Sequence, residues 1–249
     1  RADRVRADAL LLARGLASSR DRAQDMIAAG AVFANGTLIA KPAKLLSADC
    51  DLRVTGTVNP WVSRAGLKLA GGLDSFPDVK ITGAYALDIG ASTGGFTQVL
   101  LAHGAAHVTA IDVGTGQLHA KLSGDPRVAV LDATNARYLS ADMIKTAPQV
   151  IVCDASFISL KKILPAAMKL AAEGAYLMAL IKPQFEVGKG LVGKGGVVRD
   201  LALHLAVIVD IEAWLISDMG WQHVGTVASP IDGPDGNCEF LLVGKNTAS

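Results

Sequence analysis

The stretch "LDIGASTGGFT" spans residues 87–97 and puts three glycines into six positions. An apolar run ends at Asp88, and a loop follows: Gly90, Ala91, Ser92, Thr93, Gly94, Gly95, Phe96. Glycines on a strand-to-helix turn let a ligand approach the backbone. Gly90 and Gly95 have the spacing of a nucleotide-phosphate loop, but Phe96 stands where that loop needs lysine. A dinucleotide loop needs a third glycine where Ser92 stands. The order that fits is Asp-x-Gly-x-x-x-Gly. Its acid repels a pyrophosphate and suits a ligand carrying a positive amine. S-adenosylmethionine has an ammonium and a sulfonium and no phosphate. A glycine turn without a ligand is the alternative.

Two further acids support a cofactor there. Asp112, followed by Val113, ends the next apolar run in "VTAIDVG", and a carboxylate so placed can accept both hydroxyls of a ribose. Asp132, followed by Ala133, ends the one after, in "VLDATNAR", where it could meet an adenine edge. Each acid alone reads equally well as a turn residue.

A second group of charges falls at later strand ends. Asp154 follows "VIVC", and Lys182 closes the apolar run of "LMALIKPQFE". Glu239 opens the last strand in "GNCEFLLVG". If that strand is antiparallel, its start shares an edge with the ends of the others. Lys68 lies on the helix before the first strand, in "WVSRAGLKLAGGL". Lys68, Asp154, Lys182 and Glu239 could thus converge, with ordinary surface ion pairing as the alternative. Cys153 points away from Asp154 on its strand and reads as a buried thiol. "DASF" lacks the prolines expected of a nucleobase amino-methylating site.

The elements that must position these residues are legible as two pieces. From about residue 64 onward, apolar strands near 84–89, 107–112, 127–131, 149–154, 175–182, 222–228 and 238–243 alternate with helices. The helices fall near 64–75, 95–103, 139–145, 159–172 and 199–218. This alternation predicts an α/β, Rossmann-like domain built on a mostly parallel sheet covered on both faces. Residues 1–55 read as a small α+β domain, 56–63 as a linker, and 64–249 as the larger domain. The small piece has two short helices joined at residues 15–19, with Ser18 or Ser19 as N-cap. A hairpin turns at Asn35-Gly36, and "DLRV" forms a last short strand.

Residues 1–60 carry a net charge of +3 and residues 61–249 a net −2. The basic end points to an anionic partner. Three scattered cysteines and five unclustered histidines predict no disulfide, no metal site and a reducing cytoplasm. The most apolar stretch, 201–216, is interrupted by His204, Asp210 and Glu212, so no membrane span is expected, and the first residues do not read as a secretory leader.

"SRAGLKL", "DIGASTGGF", "CDASFIS", "LIKPQFE" and "CEF" closely resemble the TlyA family, the hemolysin-A-type ribosomal RNA 2'-O-methyltransferases. Their catalytic domain is similar to the FtsJ-type ribose methylases, a seven-stranded, mostly parallel sheet with its last strand antiparallel. The resemblance implies a Lys-Asp-Lys-Glu tetrad at Lys68, Asp154, Lys182 and Glu239. It also implies S-adenosylmethionine as cofactor and ribose methylation of cytidine in ribosomal RNA, on the large subunit and in some members also the small. Residues 4–55 resemble the small RNA-binding domain named after ribosomal protein S-four. Arg4, Arg6, Arg20, Arg22, Lys41 and Lys44 are then its expected phosphate contacts, with Arg14 a weaker one. Lys189 and Lys194, in the glycine-rich segment 185–200, are expected to close over RNA. A catalytically inactive RNA binder and a membrane-acting hemolysin are the rival functions. The residues do not reveal the oligomeric state.

Overall fold

The computed structural model describes residues 4–17, 19–28, 30–55, 59–233 and 236–247, without the side chains of residues 28 and 189. Ser18 and residues 56–58 of the expected linker lie outside the described residues. The chain divides into two compact units, Arg1–Arg64 and Ala65–Ser249.

The first unit runs β1 (Arg4–Arg6), α1 (Ala7–Ala13), α2 (Arg20–Ala28), β2 (Val32–Ala34), β3 (Thr37–Leu38), β4 (Leu45–Ser47) and β5 (Leu52–Val54). Ala23, Met26 and Ile27 recur at helical spacing on α2 and bury one face against Leu10 and Leu11 of α1. Ser19 caps α2, its hydroxyl accepting from the N–H of Arg22 at 3.1 Å. Asn35 and Gly36 take φ of +49° and +75°, the left-handed pair that a tight hairpin requires between β2 and β3. β5 pairs with the other edge of β2. The alternating stretch 31–46 reaches β4, which does not extend this sheet. Instead β4 pairs antiparallel with β1, a strand not foreseen, in a separate two-stranded sheet.

The second unit begins with α3 (Ala65–Ser75) and then alternates: β6 (Tyr85–Ile89), α4 (Gly95–Ala102), β7 (His107–Ile111), α5 (Ala120–Ser123), β8 (Val128–Leu131) and β9 (Val150–Cys153). It continues with α6 (Leu160–Ile163), α7 (Pro165–Lys169), β10 (Tyr176–Ile181), α8 (Pro183–Glu186), α9 (Leu201–Ser217), β11 (Gln222–Ala228) and β12 (Phe240–Lys245). The seven strands form one sheet in the order β11-β12-β10-β9-β6-β7-β8. Only β12 runs antiparallel, to β10 on one side and β11 on the other. Strands β6, β9 and β10 are buried on both faces, as a sheet covered on both sides requires. The order reverses between β6 and β9, and ligands of such sheets sit at the carboxyl ends there.

Three expected elements come out differently. The helix expected at 139–145 is replaced by two 3-10 turns, Ala136–Tyr138 and Ala141–Met143, separated by an extended Leu139. The Asn135 side chain accepts from the N–H of Arg137 and starts the first turn. The helix expected at 159–172 is two short ones, because Pro165 has no N–H to donate and begins α7 instead. The last strand starts at Phe240, so Glu239 precedes it instead of opening it. A turn closed by the Gly233 N–H on the Asn237 carbonyl fixes that approach.

Candidate active site

The loop after β6 and the loop after β9 lie side by side. The N–H of Asp154 donates to the carbonyl of Ile89, and the N–H groups of Gly90 and Ala91 donate to Ile111 at the end of β7. Gly90 has φ of +78°, and a Cβ there would stand 3.1 Å from Ala155 and from the Asp154 carbonyl oxygen. This close approach is what glycine makes possible. Ser92 also takes a left-handed φ, and its N–H donates to Asp112 Oδ2 at 2.8 Å. Asp112 Oδ1 accepts from the N–H of Gly114. The carboxylate is thereby fixed with lone pairs left for a ligand.

Between these loops opens a cavity of about 440 Å³. Of the expected cofactor residues, Gly90, Ser92, Asp112 and Val113 line it, and so does Asp154. Asp88, Ala91, Thr93, Gly94, Gly95, Phe96, Asp132 and Ala133 stand outside its lining. Gly94, Gly95 and Phe96 are buried and start α4, and Asp132 Oδ2 accepts from the N–H of Gly116. Residues not anticipated complete the wall: Gln117, Asn135, Ala155, Ser156, Phe157 and Ile158 among them. Phe157 is 89% exposed, takes φ of +65°, and stacks obliquely on Phe185 at 5.0 Å. A bulky residue in that backbone region is strained. The only sequence signal for it was an aromatic beside Asp154.

Asp88 lies fully buried beneath the loop. Its Oδ2 accepts from the Thr97 hydroxyl at 2.6 Å, and its Oδ1 has no hydrogen-bond partner among the described residues. Burial pushes its carboxyl up to about 7, with the Thr97 hydrogen bond opposing that shift and the charges of Asp154 and Asp112 adding to it. A cation brought beside this group would relieve its desolvation. The orphaned oxygen and the acid-lined cavity therefore fit the ammonium and ribose of S-adenosylmethionine.

The two lysines and two acids converge. Lys182, just beyond β10, places Nζ 2.6 Å from Asp154 Oδ1 and donates to the Ser156 hydroxyl at 3.0 Å. Lys68, on α3, donates to Glu239 Oε2 at 2.6 Å and stands 3.9 Å from Asp154 Oδ2. Lys68, Lys182 and Glu239 are all buried. Glu239 Oε1 has no hydrogen-bond partner among the described residues, and a Cβ on Gly233 would meet it at 2.1 Å. Asp154 thus bridges two ammonium groups, and the four charges cancel. Cys153 is fully buried, and burial pushes its thiol up to about 12, so it is no nucleophile.

Of the expected RNA contacts, Arg4, Lys41 and Lys44 are exposed, with no ion pair among the described residues. Arg6 grips the buried Asp8 with two hydrogen bonds of 3.0 and 2.8 Å, and Arg20 lies 3.6 Å from the same carboxylate. Arg22 donates to the carbonyl of Trp61. The Arg14 guanidinium donates to the carbonyls of Ala48 and Cys50, both at 2.7 Å, a structural tie that explains its position. Lys194 is exposed and starts a 3-10 turn, and the side chain of Lys189 lies outside the described residues. The Lys194 turn is held by the side chain of Asn237. Asn237 donates to the Gly196 carbonyl and accepts from the Val198 N–H.

This fold and this cleft define a methyltransferase of the FtsJ-like class. The profile described as FtsJ-like methyltransferase matches residues 61–246, and that of the S4 domain matches residues 5–49. Within that class the chain belongs to the TlyA family. It is 48% identical to the 16S/23S rRNA (cytidine-2'-O)-methyltransferase TlyA of Mycobacterium tuberculosis, over 97% of this chain and 90% of the relative. A solved structure described as a hemolysin from Streptococcus thermophilus superposes with a TM-score of 0.78 at 39% identity, covering 100% of this chain and 90% of that one. The magnesium protoporphyrin IX methyltransferase of Synechocystis, solved with bound SAH, shares the fold alone. Its TM-score is 0.51 at 15% identity, over 77% of this chain and 89% of that one. Among the described residues no helix is long and apolar enough to cross a membrane.

Proposed function

We propose that this protein methylates the ribose 2'-hydroxyl of cytidine in ribosomal RNA, using S-adenosylmethionine. The large subunit is the first expected substrate and the small subunit the second. The observation that carries the reading is the contact of Lys182 with Asp154 at the wall of the acid-lined cavity. Gly90, Ser92, Asp112 and Val113 would hold the cofactor, with Asp88 beneath it. Bound there, S-adenosylmethionine would supply an electrophilic methyl carbon.

The chain's own task is to hold the ribose in line and to manage the hydroxyl proton. Lys182 Nζ is the group that would meet the 2'-oxygen, either taking its proton or stabilising the oxyanion as it forms. Ser156 and Asp154 fix that nitrogen from two sides. Lys68, held by Glu239, would orient the ribose and offset the charge of Asp154. The exposed ring of Phe157 offers a face on which an unpaired base can stack. The first unit would supply affinity for the RNA backbone through Arg4, Arg6, Arg20, Arg22, Lys41 and Lys44, joined by Lys189 and Lys194 of the second. The reaction then belongs to the cytoplasm, where ribosomal RNA is found.

The test is transfer of labelled methyl from S-adenosylmethionine to unmodified ribosomal subunits, with the product nucleotide identified by mass spectrometry. The wild type should yield a 2'-O-methylcytidine. Lys182→Ala should lose about 10²-fold or more in turnover, the scale of a lost acid–base group, while S-adenosylmethionine affinity stays within a few fold. Equal loss of both would remove Lys182 from the chemistry. No transfer to either subunit would overturn the assigned substrate.

A further inference from the structure

The first unit contains a groove of about 290 Å³ that has no role in the chemistry above. The turn between β2 and β3 forms one side, with Asn35 and Thr37. The β1–β4 ribbon forms the other, with Arg4, Lys44, Leu45 and Ser47. Its floor includes Ala34, Ile39 and Cys50, all buried.

The charges around it are sorted. Arg6 and Arg20 are held by Asp8, Arg53 by Asp51, and Arg14 by two carbonyls. Arg4 and Lys44, which line the groove, have no anion partner among the described residues. Arg4 lies opposite Ser47 across the β1–β4 pairing, so the two side chains stand on the same face. Asn35 Oδ1 accepts from the N–H of Asp51 at 2.8 Å. That bond fixes the amide and leaves its Nδ2 as a donor. Leu45 is 54% exposed on the wall, an apolar surface with no cover. The groove therefore combines unpaired cations, an oriented amide, a hydroxyl and an apolar wall and floor. A volume near 300 Å³ is at the small end of ligand sites. It is too narrow for a duplex and suits one splayed-out unit of a single strand.

We propose that this groove binds one unpaired nucleotide of the RNA substrate, its phosphate against Arg4 and Lys44 and its base edge against Asn35 and Thr37. The inference rests on the RNA reading above and deepens it. The first unit would read a bulged or looped residue as well as the charge of the backbone.

Removing the cations alone cannot separate a groove from a charged surface, so the groove is tested by filling it. Thr37→Trp leaves every cation in place, and Thr37 is exposed, so the variant folds as the wild type does. It should weaken binding to unmodified ribosomal subunits by about tenfold, the scale of one lost base contact. Affinity for S-adenosylmethionine should be unchanged. A photo-crosslinking benzoylphenylalanine at Leu45 in the full chain should join to a single nucleotide that is unpaired in the subunit. Unchanged binding by Thr37→Trp, or crosslinks spread over paired nucleotides, would overturn the groove while leaving the methyltransferase reading intact. Failure of the wild type to bind or methylate either subunit would overturn both.

Discussion

Asp88 is a carboxyl held under a glycine loop with one oxygen unpartnered. In the unfolded chain an aspartate titrates near pH 4, whereas burial pushes Asp88 up to about 7. Between those values the folded chain keeps a proton that the unfolded chain has lost. Stability of the ligand-free protein should therefore fall as pH rises from about 4 to about 7, and then level off. Asp88→Asn is neutral and of similar shape, and should remove that slope. Urea midpoints at pH 5 and pH 8 check it, and a wild type with no decline attributable to Asp88 would show that the group is ionised throughout. Gly233 carries a second prediction. A methyl there would meet Glu239 Oε1 at 2.1 Å, so Gly233→Ala must displace the carboxylate that holds Lys68. Turnover should drop by roughly tenfold to a hundredfold, as expected when a reacting constellation shifts by about 1 Å. Affinity for S-adenosylmethionine should hold, and steady-state methyl transfer beside equilibrium binding separates the two.

The elements meet at turns that tolerate almost no added volume. Gly90→Ala would force a methyl group against Ala155 and would hold a left-handed φ, at a cost of about 1–2 kcal/mol from the backbone alone. The melting temperature should drop by roughly 2–8 °C, and S-adenosylmethionine affinity should fall with it. An unchanged melting curve would mean that the two loops separate freely. The sequence made much of this level legible. Alternating apolar runs located all seven strands of the large sheet, and strand-end logic brought Lys68, Asp154, Lys182 and Glu239 toward one edge. What it missed was set by local chemistry or by distant partners. Pro165 splits a helix whose periodicity reads straight through it. β1 is three residues long and exists because β4 pairs with it from 41 positions away, a non-local fact that no window detects. Gln117, Asn135 and Phe157 reach the cavity from turns, where neither period nor propensity points to a ligand.

At the scale of the whole molecule, charge separates the labours. The excess of cations in residues 1–60 makes RNA affinity a matter of counterion release, so binding to ribosomal subunits should fall steeply with salt. Arg4→Ala with Lys44→Ala should shallow the log–log slope by about 1.5–2, roughly one unit per lost phosphate contact. Filter binding between low and high potassium chloride measures it, and an affinity indifferent to salt would remove these residues from the interface. Lys68 and Glu239 stand 171 positions apart, and β12 enters the sheet between β10 and β11, which both precede it in the chain. The cavity wall is complete by Ile163, but the ion pair that braces Lys68 waits for nearly the last strand. During synthesis, then, every residue of the cavity wall leaves the ribosome before the glutamate that braces Lys68.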